Sequence, residues 1–125
     1  MEPPKKRILI IDDDATFRKL LNIKLSAEGY AVSEASEGNE GLRLYQRDLH
    51  DLVITDIIMP EKDGIETIKA LKKGSGDVKI IAISGGGKIL PDEYRPAAKI
   101  LGAAHTFSKP IQWPEFLSAV KGLLV

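Results

Sequence analysis

Five side chains in this sequence are of types that can do chemistry together: Asp12, Asp13, Asp56, Ser84 and Lys109. Each stands at the end of a short strand-like run. Ile8-Leu9-Ile10-Ile11 leads into Asp12-Asp13-Asp14, Leu52-Val53-Ile54-Thr55 ends on Asp56, Val78 to Ile83 ends on Ser84, and His105 to Ser108 precedes Lys109-Pro110. Near-continuous apolar runs of this length read as strands buried on both faces of a parallel sheet. Such a sheet gathers whatever follows its strands at one carboxyl edge, where open α/β folds place their ligands. Three carboxylates at one edge repel, and a hard divalent cation with oxygen ligands relieves them; magnesium is the usual intracellular choice. With that cation in place an anionic phosphoryl group becomes welcome. The Ser84 hydroxyl and the Lys109 ammonium could meet its oxygens while the Asp56 carboxylate attacks phosphorus in line, leaving an acyl phosphate.

The elements that must position these groups can be read from the same chain. Arg7 to Ile11 is too short and too β-branched for a helix and reads as a first strand. Phe17, Leu20, Leu21 and Leu25 recur at helical spacing between Ala15 and Glu28, and Gly29 stops the run. Tyr30 to Ala35 partly alternates, as an edge strand with one wetter face should. Leu42, Tyr45 and Leu49 mark a second helix from Gly38 to Leu49. Past the strand that ends on Asp56, Asp63 reads as the N-cap of a third helix, with Glu66 completing a capping box and Ile65, Ile68 and Leu71 facing the core. Gly74-Ser75-Gly76-Asp77 is a breaker before the fourth strand, Val78 to Ser84. A fourth helix is expected within Asp92 to Leu101, starting late or irregularly because of Pro96, with Gly102 as its cap. His105 to Ser108 makes a fifth strand. Pro114 suits the first turn of a last helix whose inward residues are Phe116, Leu117, Val120 and Leu124. Five strands alternating with five helices imply an α/β domain, doubly wound, with a parallel sheet covered on both faces by right-handed crossovers.

At 125 residues the chain fits one domain, with residues 1–6 as a short solvated lead-in and 7–125 as the folded body. Lys plus Arg equals Asp plus Glu at 18 each, so no overall field favours direct nucleic-acid or membrane contact. The lack of cysteine excludes disulfides and thiolate metal sites, and the first residues carry no signal-peptide core. No apolar run is long enough to span a bilayer, so a soluble cytoplasmic protein is expected.

The combination of Ile8-Leu9-Ile10-Ile11-Asp12-Asp13, Asp56-Ile57-Ile58-Met59-Pro60 with Asp63-Gly64, Ile81-Ala82-Ile83-Ser84-Gly85, and Lys109-Pro110 closely resembles the response-regulator receiver domain of two-component signalling, in its single-domain, chemotaxis-type form. The resemblance covers nearly the whole chain. It implies a flavodoxin-like fold with strand order 2-1-3-4-5. It also implies that Asp56 is the phosphoacceptor, that Asp12 and Asp13 hold magnesium with a backbone carbonyl from Ile58, and that Ser84 and Lys109 meet the phosphoryl group. Pro110 would follow a cis peptide bond that helps aim the lysine. A receiver takes its phosphoryl group from a histidine kinase or a phosphotransfer protein, catalysing only its own phosphorylation and dephosphorylation. It then alters its hold on a downstream protein or a dimer partner through the face made by the fourth helix, fifth strand and last helix. One departure concerns the switch aromatic that the family usually carries three residues before the lysine. That position is Thr106, and Phe107, one place later, should point to the other side of the strand. Gly86 and Ile58 leave little polar chemistry for an attacking water, which implies slow self-dephosphorylation.

Two other functions compete for the same residues. Asp12-x-Asp14-x-Thr16 after an apolar strand resembles the first motif of haloacid-dehalogenase phosphatases, in which Asp12 would be the nucleophile and Asp14 the acid/base. The chain is short for that family, lacks a cap region, and would leave Asp56 without a role. A receiver-like scaffold that binds partners without phosphorylation has no reason to keep like charges buried together. Among single residues, Asp14 reads as a helix N-cap rather than a ligand. Gly85 to Lys88 fails as a phosphate loop, because Ile89 stands where Ser or Thr is needed. His50 and His105 have no second His or Cys at metal spacing. Tyr94 and Trp113 are open to partner-binding or packing roles.

Overall fold

The strand-like runs form the strands expected of them. The computed structural model describes residues 4–57, 64–84 and 102–125. β1 (Arg7–Ile11), β2 (Ala31–Ala35), β3 (Leu52–Asp56), β4 (Ile80–Ser84) and β5 (His105–Ser108) make one parallel sheet in the order β2-β1-β3-β4-β5. Among the described residues there are four helices: α1 (Ala15–Ala27), α2 (Gly38–Arg47), α3 (Gly64–Gly74) and α4 (Trp113–Leu123). The helix expected within Asp92 to Leu101 lies outside the described residues, as do Ile58, Asp63, Gly85 to Lys88 and Tyr94.

Alternation along each strand divides the core into two layers. Leu9, Ile11, Val53, Ile80 and Ala82 pack with Ile68 and Leu71 of α3, while Leu42 and Tyr45 of α2 close that layer from outside. Ile8, Ile10, Leu52, Ile54, Ile81 and Ile83 pack on the opposite face with Leu21 and Leu25 of α1 and Phe116 and Val120 of α4. Both faces of β3 and β4 are covered, so every residue of those strands is buried, whereas the edge strands β2 and β5 stay partly wet. Burying each such Leu or Ile is worth roughly 1.5–3 kcal/mol relative to leaving it exposed.

Two apolar residues do not go where their spacing suggested. The buried seam of α1 runs through Leu21 and Leu25, while Leu20 is 39% exposed. Leu20 lies one residue, about 100°, off that seam, and two stripes compatible with helical spacing cannot both face the sheet. Helix α2 stops at Arg47, because the Asp48 backbone turns extended to feed β3, and this leaves Leu49 78% exposed. Gly29 has φ +95°, the left-handed conformation that ends α1 and turns the chain into β2.

Candidate functional site

Strand register alone brings the acids together. Ile11 pairs with Thr55, which puts Asp12 level with Asp56. Asp56 pairs with Ile83 and Ser84 with Ser108, so Ser84 and Lys109 follow one step along the same edge. One ligand oxygen from each of Asp12, Asp13 and Asp56 lies within 4.8 Å of the other two. Asp12 and Asp56 are 1% and 5% exposed, and Asp13 is open to solvent.

The charge is met by the lysine. Lys109 Nζ lies 3.3 Å from Asp12 Oδ2 and 3.9 Å from Asp56 Oδ2, and its side chain is only 13% exposed. It also sits 4.0 Å from the centre of the Phe17 ring. Burial pushes the Asp12 carboxyl above its ordinary range, and Asp13 adds to that; the Asp14 N–H and the Lys109 ammonium pull the other way without cancelling it. Asp12 Oδ1 accepts that Asp14 N–H at 2.8 Å. The peptide bond between Lys109 and Pro110 is cis, as the resemblance implied.

The loop carrying Asp12 and Asp13 is anchored from two sides. Asp14 caps α1, its Oδ1 accepting the N–H of Thr16 at 3.0 Å and of Phe17 at 3.2 Å. That oxygen is turned into the helix, which speaks against Asp14 as an acid/base. Arg18 donates from Nη1 to the Asp12 carbonyl at 2.6 Å and from Nε to Glu34 Oε1 at 2.9 Å. Burial raises the Glu34 carboxyl, but hydrogen bonds from Asn22 and Arg18 and the charges of Lys19 and Arg18 outweigh it, so Glu34 stays ionised below its ordinary range. Strand β2 is thereby tied to the acidic loop.

Helix α3 presses on the other acid. The Gly64 N–H donates to the Ile57 carbonyl at 2.5 Å. A Cβ on Gly64 would run into the Asp56 carbonyl oxygen and come within 2.6 Å of Ile57 Cα. Gly64 is therefore part of the site's geometry by being small. Its role, and those of Phe17 and Arg18, went unread in the sequence. The signals for Gly64 were its place in the Asp63-Gly64 pair and a helix-poor residue at the first position of a helix.

Ser84 reaches the same edge, but its hydroxyl is engaged across the strand seam with Ser108 Oγ at 3.1 Å and the Phe107 carbonyl at 3.3 Å. Thr106 pairs with Ala82, whereas Phe107 turns to the opposite face and meets Phe116 edge-on at 5.2 Å. The remaining candidates stand apart. His50 is buried at the far edge, stacked on Tyr45 at 6.1 Å, and His105 is exposed. Trp113 packs edge-on against Phe116 at 5.8 Å, with Lys24 over its ring.

Asp12, Asp13 and Asp56 are the one group of three such side chains among the described residues arranged to hold a metal ion. Their all-oxygen donors, two of them buried, fit a hard divalent cation. No helix among the described residues is long and apolar enough to cross a membrane.

A family model for the response regulator receiver domain matches residues 8–121. The chain is 37% identical over 96% of its length to a probable transcriptional regulator, ycf27, of Guillardia theta, and 34% identical over 94% to response regulator MprA of Mycolicibacterium vanbaalenii. It covers 46% and 50% of those two proteins, so it spans about half their length. Among solved structures, response regulator TrrA of Thermotoga maritima, crystallised with Mg2+-BeF, superposes with a TM-score of 0.84 at 34% identity, covering 94% of this chain and 98% of that one. A CheY-like receiver domain protein of Methanospirillum hungatei gives a TM-score of 0.88 at 28% identity, covering 95% and 93%. The sheet order, the acidic edge and these likenesses agree, and the chain belongs to the response regulator receiver domain family.

Proposed function

We propose that this receiver domain accepts a phosphoryl group on Asp56 from a phosphohistidine of a histidine kinase or phosphotransfer protein. The observation that carries the reading is Lys109 Nζ lying between Asp12 Oδ2 and Asp56 Oδ2, at 3.3 and 3.9 Å, on an edge with three clustered carboxylates. Asp12, Asp13 and Asp56 would hold magnesium, with the carbonyl of Ile58 as a further ligand, and the relative crystallised with Mg2+-BeF supports that choice. When bound, magnesium supplies positive charge that lets phosphoryl oxygens approach a carboxylate.

The chain's own groups do the rest. Asp56, fixed at the end of β3 under Gly64, presents its carboxylate as nucleophile. Lys109 meets one phosphoryl oxygen and the Ser84 hydroxyl another. The strand seam holding Ser84, and the face of β5 and α4 beside it, would carry the change to a downstream protein. The work belongs in the cytoplasm, where magnesium is the common hard cation.

The test is incubation with magnesium and acetyl phosphate, read by intact mass. Wild type should gain one phosphoryl group and Asp56→Asn none; an equal gain in Asp56→Asn overturns the assignment. Phosphomonoester turnover that survives Asp56→Asn but not Asp12→Asn would instead place the nucleophile at Asp12.

A further inference from the structure

We propose that Phe17 is a positioning residue for Lys109, its ring face holding the ammonium where it can meet a phosphoryl oxygen. This rests on the phosphoacceptor reading above and goes beyond it by assigning a role to an apolar side chain. Lys109 leaves the edge of the sheet on a flexible four-carbon stem, and an ammonium is a point charge with little directional preference of its own. Among the described residues it lies near two carboxylate oxygens, at 3.3 and 3.9 Å, and the centre of the ring, at 4.0 Å. The carboxylates are the groups that a cation would draw on, and Asp56 is the group that phosphorylation converts. The ring is the contact that neither event changes.

The ring's place is set by the main chain. Phe17 lies in the first turn of α1, and the Asp14 cap takes both its N–H and that of Thr16. The cap that orders the acidic loop therefore also aims the ring. Filling space does not require an aromatic here, since Phe17 is only half-buried and borders a core layer made mostly of Ile and Leu, which Leu or Met could extend. What only an aromatic supplies is a negative face toward a cation, and the attraction strengthens where the cation is shielded from water, as Lys109 is.

The test compares Phe17→Leu and Phe17→Met, which keep apolar volume, with Phe17→Tyr, which keeps the ring. Without magnesium or phosphodonor, the Lys109 ε-methylene proton resonances should be shifted upfield by the ring current in wild type and Phe17→Tyr, and lose that shift in Phe17→Leu and Phe17→Met. With saturating magnesium and acetyl phosphate, the phosphorylation rate should fall about tenfold in the two aliphatic variants and stay within about twofold of wild type in Phe17→Tyr. Thermal unfolding confirms that the variants compared are folded. Equal rates in the aromatic and aliphatic variants, or an unshifted Lys109 resonance in wild type, would overturn the proposal while leaving Asp56 as acceptor. A wild type that gains no phosphoryl group would overturn both.

Discussion

The two edges of the sheet each bury a titratable group, on opposite terms. At the carboxyl edge Asp12 and Asp56 are buried as neighbours, with Lys109 driven between them. At the amino edge His50, 8% exposed, lies flat against Tyr45. Burial disfavours the charged form in both places: it raises the Asp12 carboxyl, and it lowers the His50 imidazole, with Arg7 adding to the effect. One edge answers with a countercharge and the other keeps its group neutral. A fold retains buried charge where the charge has work to do, and elsewhere buries a titratable side chain as neutral packing.

The largest effect should come from removing the countercharge. Lys109→Met leaves Asp12 and Asp56 buried without their cation and should cost about 3 kcal/mol at neutral pH in the presence of chelator, measured by urea unfolding. Magnesium should restore much of the loss. An unchanged midpoint would break the contrast between the edges.

Gly64→Ala probes tightness at the carboxyl edge, where the added Cβ meets the Asp56 backbone, and should cost about 2 kcal/mol. Gly76→Ala, on the amino side, is the control, because a Cβ there meets nothing within 4 Å. Equal losses in the two variants would show that the carboxyl edge is no tighter than the loop.

The smallest effect is also the most discriminating, because the two edges should respond to acid with opposite sign. Unfolded His50 takes up a proton near the ordinary imidazole value of 6.5 and the folded imidazole resists, so His50 costs stability as pH falls below 6.5. Folded Asp12 takes its proton at higher pH than the unfolded 3.8, so acidification through that raised pKa adds stability until 3.8 is reached. His50→Phe should change stability by under about 1 kcal/mol at pH 8 and remove the first slope. Asp12→Asn should remove the second. Urea unfolding of the three proteins from pH 8 to pH 4 reads both slopes, and a shared sign would refute the comparison.

How much of this was legible depended on distance along the chain. Asp12, Asp56, Ser84 and Lys109 were readable because each closes a strand-like run, and strand ends in a parallel sheet converge whatever the loops do. The strands followed from the same runs to within two residues. Leu20 was misread because helical spacing fixes a stripe only once a neighbour selects it. Leu49 was misread because apolarity outlasts the helix that stops before it. The contacts that Gly64, Phe17 and Arg18 make at the site were invisible, since each reaches a group far from it in sequence or acts through a backbone atom. A carbonyl held by Arg18 and a Cβ that would strike Asp56 leave no pattern in residue types.

A hydroxyl has one proton to give, and in this structure the Ser84 proton is directed across the β4–β5 seam, toward Ser108 Oγ or the Phe107 carbonyl. A phosphoryl oxygen on Asp56 would compete for that same proton. Whenever it wins, the edge strand loses a hydrogen bond from Ser84, beside Thr106. In a chain without the usual aromatic at that position, a signal carried by Ser84 would leave the site as a hydrogen bond given up across the seam rather than as a ring that has turned.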